Sequence, residues 1–164
     1  MGHGRAYSPK HHLKTLFMST ASATPDTLQL GHQRLDADHD EFIALAQQLR
    51  QAGADNVVAA HDALAAHARA HFALEDSLMA PHDFASKECH VDEHAAVLAS
   101  FDEVRTVLLQ GRTELAARFA DRLIAWLPEH VDALDRHLAK FIFFQQTGGA
   151  PVLIRRTSPQ GTPC

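Results

Sequence analysis

Residues 71–94 read HFALEDSLMAPHDFASKECHVDEH, which sets a His71-x-x-x-Glu75 pair shortly before a His90-x-x-x-His94 pair. On an α-helix, residues i and i+4 lie about 40° apart around the axis and one turn apart along it, so each pair projects two side chains from a single face. Pro81 stands between the pairs, and a proline ends a helix because it lacks an N–H and crowds the preceding turn. The stretch therefore predicts two helices joined by a short connection around Pro81 to Lys87, each carrying two groups able to chelate.

The helical period continues on either side. A first helix is expected from about Asp36 to Gln51, with His39, Phe42, Ile43, Ala46 and Leu49 on one face and Gly53 past its end. The second begins near Asp55 and carries Leu64, Ala68, His71, Glu75 and Leu78 to the break at Pro81. The third, about Ser86 to Gln110, bears His90, His94, Val97, Phe101, Val104 and Leu108 and stops at Gly111. A fourth, about Thr113 to Phe144, shows Leu115, Phe119, Leu123, Trp126, His130, Leu134 and Phe141, closed by Gly148 and Gly149. Strict alternation of β-branched and aromatic residues is missing, and Ala, Leu, Glu, Gln and Arg dominate. The expected fold is all α, an antiparallel up-down-up-down four-helix bundle with a metal site in its core.

With 164 residues and 46% apolar content, the chain has about the size of one domain. It lacks a run of the roughly 18 to 20 apolar residues that a membrane span or, in shorter form, a secretory leader requires, so a cytoplasmic protein is expected. All 20 acidic residues but only ten of the 15 basic ones fall between Asp26 and Phe144, which argues against a nucleic-acid partner. Both ends are basic and rich in Ser, Thr, Pro and Gly. Residues 1–27 and 145–164 are accordingly expected to be disordered extensions flanking a bundle at 28–144, with the HHLK segment a solvated part of the first and Met18 an alternative start. Cys89 and Cys164 are too few for a disulfide framework.

The chain has 13 histidines against one Trp and one Tyr. Taken singly, the polar groups on the apolar faces have ordinary readings: His39 as a core histidine, and His71 with Glu75 as a hydrogen-bonded pair. His90 with His94 is evenly balanced between the two. His130 and Asp135 are five apart, about 140° around a helix, so bringing them together needs a local distortion or a bridging position off the stripe. Jointly, five imidazoles and two carboxylates on four inward faces call for a metal, because uncompensated buried charge is costly.

This constellation, His39, His71-x-x-x-Glu75, His90-x-x-x-His94 and His130-x-x-x-x-Asp135, resembles the hemerythrin family, in particular its single-domain bacterial members. The flanking segments "LDADHDEF", "HFALEDSLM" and "WLPEHVDALD" agree, and the likeness spans about residues 28–144. It implies an oxo- or hydroxo-bridged pair of non-haem iron ions that binds O2 reversibly. One iron would be held by His90, His94 and His130, the other by His39 and His71, with Glu75 and Asp135 bridging. It further implies an O2 pocket walled by Trp126, Leu127 and Val131, which otherwise serve as core. His32, His61, His67, His82 and His137 match no ligand position and are expected at the surface or boundary, with His67 able to reach the outer side of the site. The expected protein is a monomeric oxygen carrier, store or sensor rather than an enzyme, with O2 as its ligand and no membrane span. The alternative is a di-iron protein acting on nitric oxide or peroxide, or in iron sensing or iron-centre repair.

Overall fold

The computed structural model describes residues 28–81 and 84–148. The terminal stretches 1–27 and 149–164, with HHLK, Cys164 and Gly149, and also His82, lie outside the described residues. Helices α1 (Gln33–Gln51), α2 (Val57–Met79), α3 (Lys87–Leu109) and α4 (Glu114–His130) are followed without a break by a π-helical turn, Val131–Asp135, and by α5 (Arg136–Thr147). Helix α1 packs on α2 and α4, α2 on α3, and α3 on α4, closing the ring of an up-down-up-down bundle. No described helix is long and apolar enough to cross a membrane.

Local chemistry sets the helix ends. The Asp36 carboxylate accepts from the N–H groups of Leu30 (2.7 Å) and Gly31 (3.1 Å), and His32 caps α1 by accepting from the Leu35 N–H. At the far end of α3, Gly111 adopts φ 85° and the Arg112 N–H returns to the Val107 carbonyl at 3.2 Å, a closure that favours glycine. Helix α2 ends ahead of Pro81 as expected.

The fourth expected helix differs from a simple rod. Pro128 lies inside α4, and the chain then passes into the π-helical turn, where the Arg136 N–H reaches back five residues to the Val131 carbonyl. The turn takes up one extra residue, so the buried stripe moves on by one: Asp135, Leu138 and Ile142 are buried, whereas the expected Leu134 and Phe141 are only partly so. Earlier on α4, Ala116 and Ala120 are the buried positions and Leu115 and Phe119 lie half-buried beside them. Helix α5 runs to Thr147, into the stretch expected as a tail.

Among the described residues the buried apolar side chains form two clusters. The larger runs from Leu28 and Phe42 through Leu64, Phe72 and Phe101 to Leu127 and Val131. The smaller joins Met79, Leu138 and Ile142. Along α2 the pair His71 and Glu75 falls between them, and along the last helices so does Asp135.

The two glycines past α1 and α3 should respond differently to a methyl group. Gly111→Ala forces a left-handed residue and should cost about 1–2 kcal/mol in denaturant unfolding. Gly53→Ala, where φ is not positive and the new Cβ would meet only Asn56 Oδ1 at 3.9 Å, should be neutral or mildly stabilising.

Candidate metal centre

Seven polar side chains meet between the two apolar clusters: His39 from α1, His71 and Glu75 from α2, His90 and His94 from α3, His130 from the end of α4 and Asp135 from the π-helical turn. All are at most 2% exposed. The i,i+4 pairs come together as helical geometry dictates. His130 and Asp135 meet because the π-helical turn closes five residues into one turn, setting His130 Nε2 3.1 Å from Asp135 Oδ1.

The two carboxylates each face two ways. Glu75 turns Oε2 to His90 (3.4 Å) and His94 (3.2 Å) and Oε1 to His71 (3.8 Å). Asp135 turns Oδ1 to His90 (3.0 Å) and His130 (3.1 Å) and Oδ2 to His39 (3.2 Å). The donors thus fall into two overlapping groups: Glu75, His90, His94, His130 and Asp135 in one, and His39, His71, Glu75 and Asp135 in the other. Within each group the ligand atoms lie within 4.8 Å of one another.

Burial opposes every charge here, and contacts decide the outcome. Against that cost, His130, His39 and His90 hold the Asp135 carboxyl well below its usual range, and His90 and His94 bring Glu75 down to about 2. Burial would lower His90 as well, but Asp135 and Glu75 push it up to about 9, and Asp135 raises His39 in the same way. For His71, whose carboxylate contact is 3.8 Å, burial prevails and lowers it to about 4. Both carboxylates are therefore anionic in the interior. Despite these short contacts, all four carboxylate oxygens and Nε2 of His39, His71 and His90 lack a hydrogen bond of acceptable direction. Anionic oxygens and imidazole nitrogens aimed at common points without satisfying one another are a donor set that fits cations.

A second set of acids lies behind the first. Asp38 Oδ2 is 3.8 Å from His71 Nδ1, Asp76 Oδ1 is 3.3 Å from His94 Nδ1, and Glu93 Oε1 is 3.3 Å from His130 Nδ1. Each acid belongs to the helix preceding that of its histidine, so the support passes from α1 to α2, α2 to α3 and α3 to α4. His39 instead donates from Nδ1 to the Leu28 carbonyl at 3.2 Å. Of these contacts, those of His94 and His39 have hydrogen-bond direction, whereas Nδ1 of His71 and of His130 makes no hydrogen bond and meets its acid only as a nearby charge. A partner on the far ring nitrogen favours the other nitrogen facing inward. The acids adjoin ligand-type residues in sequence, as Asp38-His39, Glu75-Asp76 and Glu93-His94, and that adjacency is the signal the sequence reading passed over. Phe72, within the flanking segment HFALEDSLM, stacks on His94 with centroids 4.0 Å apart and planes at 6°.

Of the remaining histidines, His67 donates to the Asp38 carbonyl at 2.9 Å and stacks 6.4 Å from His71, and His137 is exposed. His61 corrects the expectation: it is 1% exposed, packed against Phe101 and Phe119 in the larger cluster, with Nδ1 3.2 Å from Asp62. Cys89 is exposed.

The family model for the Hemerythrin HHE cation binding domain matches residues 30–142. The chain belongs to the hemerythrin family. It is also 36% identical over 117 residues to a Bacteriohemerythrin of Ralstonia nicotianae (strain ATCC BAA-1114 / GMI1000), covering 71% of this chain and 85% of that protein. No solved structure matches it. The family's cation-binding description and the buried His/Glu/Asp cluster agree that this hemerythrin bundle carries a metal site in its core.

Two substitutions should separate site support from packing. Asp38→Ala removes the acid behind His71 and should weaken metal binding about 10–100-fold in chelator competition. His61→Ala should leave metal content unchanged while costing about 2 kcal/mol of stability through the cavity it opens. Loss of metal from the His61 variant would place His61 within the site.

Proposed function

We propose that this chain is a non-haem di-iron protein that binds O2 reversibly as a carrier, store or sensor. The observation that carries the reading is the two-sided placement of Glu75 and Asp135, each with one oxygen toward the three-histidine group and the other toward His39 and His71. In this reading His90, His94 and His130 hold one iron, His39 and His71 the other, and the two carboxylates bridge. A pair of irons, when bound, supplies the two electrons that reversible O2 binding draws on and returns.

The chain's own residues account for the remainder. Five imidazoles against two carboxylates suit divalent iron and keep the negative charge of the donor set low. The two-histidine side contributes one protein ligand fewer and so keeps room for a small molecule. Trp126, Leu127 and Val131 are proposed as the wall that excludes water there; the complete burial of Leu127 and Val131 supports the role, while the Trp126 ring lies 4.5 Å from that of His130, on the three-histidine side.

Iron analysis after anaerobic reconstitution should give about two irons per chain. The reduced protein should then take up O2 in air and release it under vacuum. Iron near zero or one per chain would refute the paired site. Sustained consumption of peroxide or nitric oxide with no recoverable O2 would instead make the protein an enzyme.

Leu127→Asn should retain both irons but shorten the time over which bound O2 can be recovered, because a polar side chain admits water to the wall. An unaltered recovery time would mean that Leu127 serves packing alone.

A further inference from the structure

Trp126 has a second contact besides its place in the proposed wall. Its indole Nε1–H donates to Glu93 Oε1 at 2.8 Å, and the same oxygen lies 3.3 Å from Nδ1 of His130, within reach of its charge although outside hydrogen-bond direction. Trp126 and His130 are one turn apart on α4, with rings 4.5 Å apart and inclined by 33°. Phe42 and Phe72 pack against the indole at 6.4 and 6.2 Å, so its N–H has a defined direction.

We infer that Trp126 and Glu93 act as one positioning unit for His130, the indole holding the carboxylate in the place from which it orients the imidazole. Glu93 needs an anchor because its side chain is 39% exposed and would otherwise turn toward water. Asp38, behind His71, is anchored differently, by Arg34 at 3.1 Å. That guanidinium offsets the charge of Asp38, whereas the neutral indole fixes Glu93 and leaves its full negative charge facing His130. A carboxylate charge beside Nδ1 favours the proton there, which directs the Nε2 lone pair inward and makes it a stronger donor to a cation. The inference rests on the proposed function for the identity of that cation.

The experiment combines an NMR signal with chelator competition on the ferrous protein under anaerobic conditions. Because the chain has one tryptophan, its indole N–H gives one resonance. Glu93→Ala should shift that resonance upfield and weaken iron binding about 10–100-fold. Trp126→Phe, which keeps a ring beside His130 but removes the donor, should weaken it in the same direction by less. The double variant should be no worse than Glu93→Ala alone, since one residue acts through the other. Glu93→Gln keeps the acceptor oxygen and the shape, so the indole resonance should stay while iron binding still weakens; this isosteric variant carries the test if Glu93→Ala fails to fold. Additive losses, an unmoved resonance in Glu93→Ala, or wild-type iron binding in Glu93→Gln would overturn the unit and leave the di-iron reading intact. A wild-type protein that binds no iron would overturn both.

Discussion

Two ionised carboxylates with no exposure at the centre of a helical bundle are the constraint on which the rest depends. Glu75 and Asp135 would each cost several kcal/mol if left alone in the interior. Without metal, raised proton affinity at His90 and His39 offsets part of that charge, but hydrogen bonds of good direction do not complete the set. The carboxylates stay anionic because imidazoles surround them, and four of the five imidazoles, those of His39, His71, His94 and His130, have a backbone carbonyl or an acid beside the outer nitrogen. A cation that binds only the folded arrangement therefore stabilises the fold and the site together.

The arrangement also explains why the bundle closes as it does. A residue next to an inward ligand on a helix is turned by about 100°, toward the neighbouring helix rather than its own face. Asp38, Asp76 and Glu93 use that turn to support histidines on the following helix, so the α1–α2, α2–α3 and α3–α4 interfaces each carry such an acid–histidine contact at the level of the site. Farther from the site, exposed pairs join α2 to α3 (Arg105 with Asp62) and α1 to α4 (Arg50 with Asp121), where solvent limits each to a small contribution. The polar layer thereby adds a register to the apolar clusters above and below it, which non-directional burial alone does not define.

Much of this was legible in the sequence, and the reason is periodicity. His71 with Glu75 and His90 with His94 obey the α-helical repeat, so their shared face follows from spacing, as do the four helices and their ends at Gly53, Pro81 and Gly111. The metal set as a whole was reached only jointly, and its division into two groups came from family resemblance rather than from spacing. His130 and Asp135 break the repeat, and spacing could demand a distortion without saying which. The π-helical turn supplies it, and the same turn displaces the buried stripe from Leu134 and Phe141 to Asp135, Leu138 and Ile142. The acids behind the histidines were hidden for another reason: a neighbour at i±1 acts on a different helix, and which helix is a property of packing. His61 was hidden likewise, since an imidazole between Phe101 and Phe119 looks in sequence like any boundary histidine.

The centre is dry on one side of its imidazoles and wet on the other. The seven residues of the site are each at most 2% exposed, whereas Asp76 and Glu93, behind His94 and His130, have side chains 42% and 39% exposed. Solvation of these acids lets them remain charged without the cost of a buried carboxylate. Their negative charge can then act through the ring on the inward nitrogen while water stays outside it. The proposed O2-binding function would draw on this division, because donor strength is adjusted from the solvent side and no polar group has to enter the pocket. Trp126 joins the two sides: its N–H fixes an acid at the water boundary, and its ring helps to cover His130.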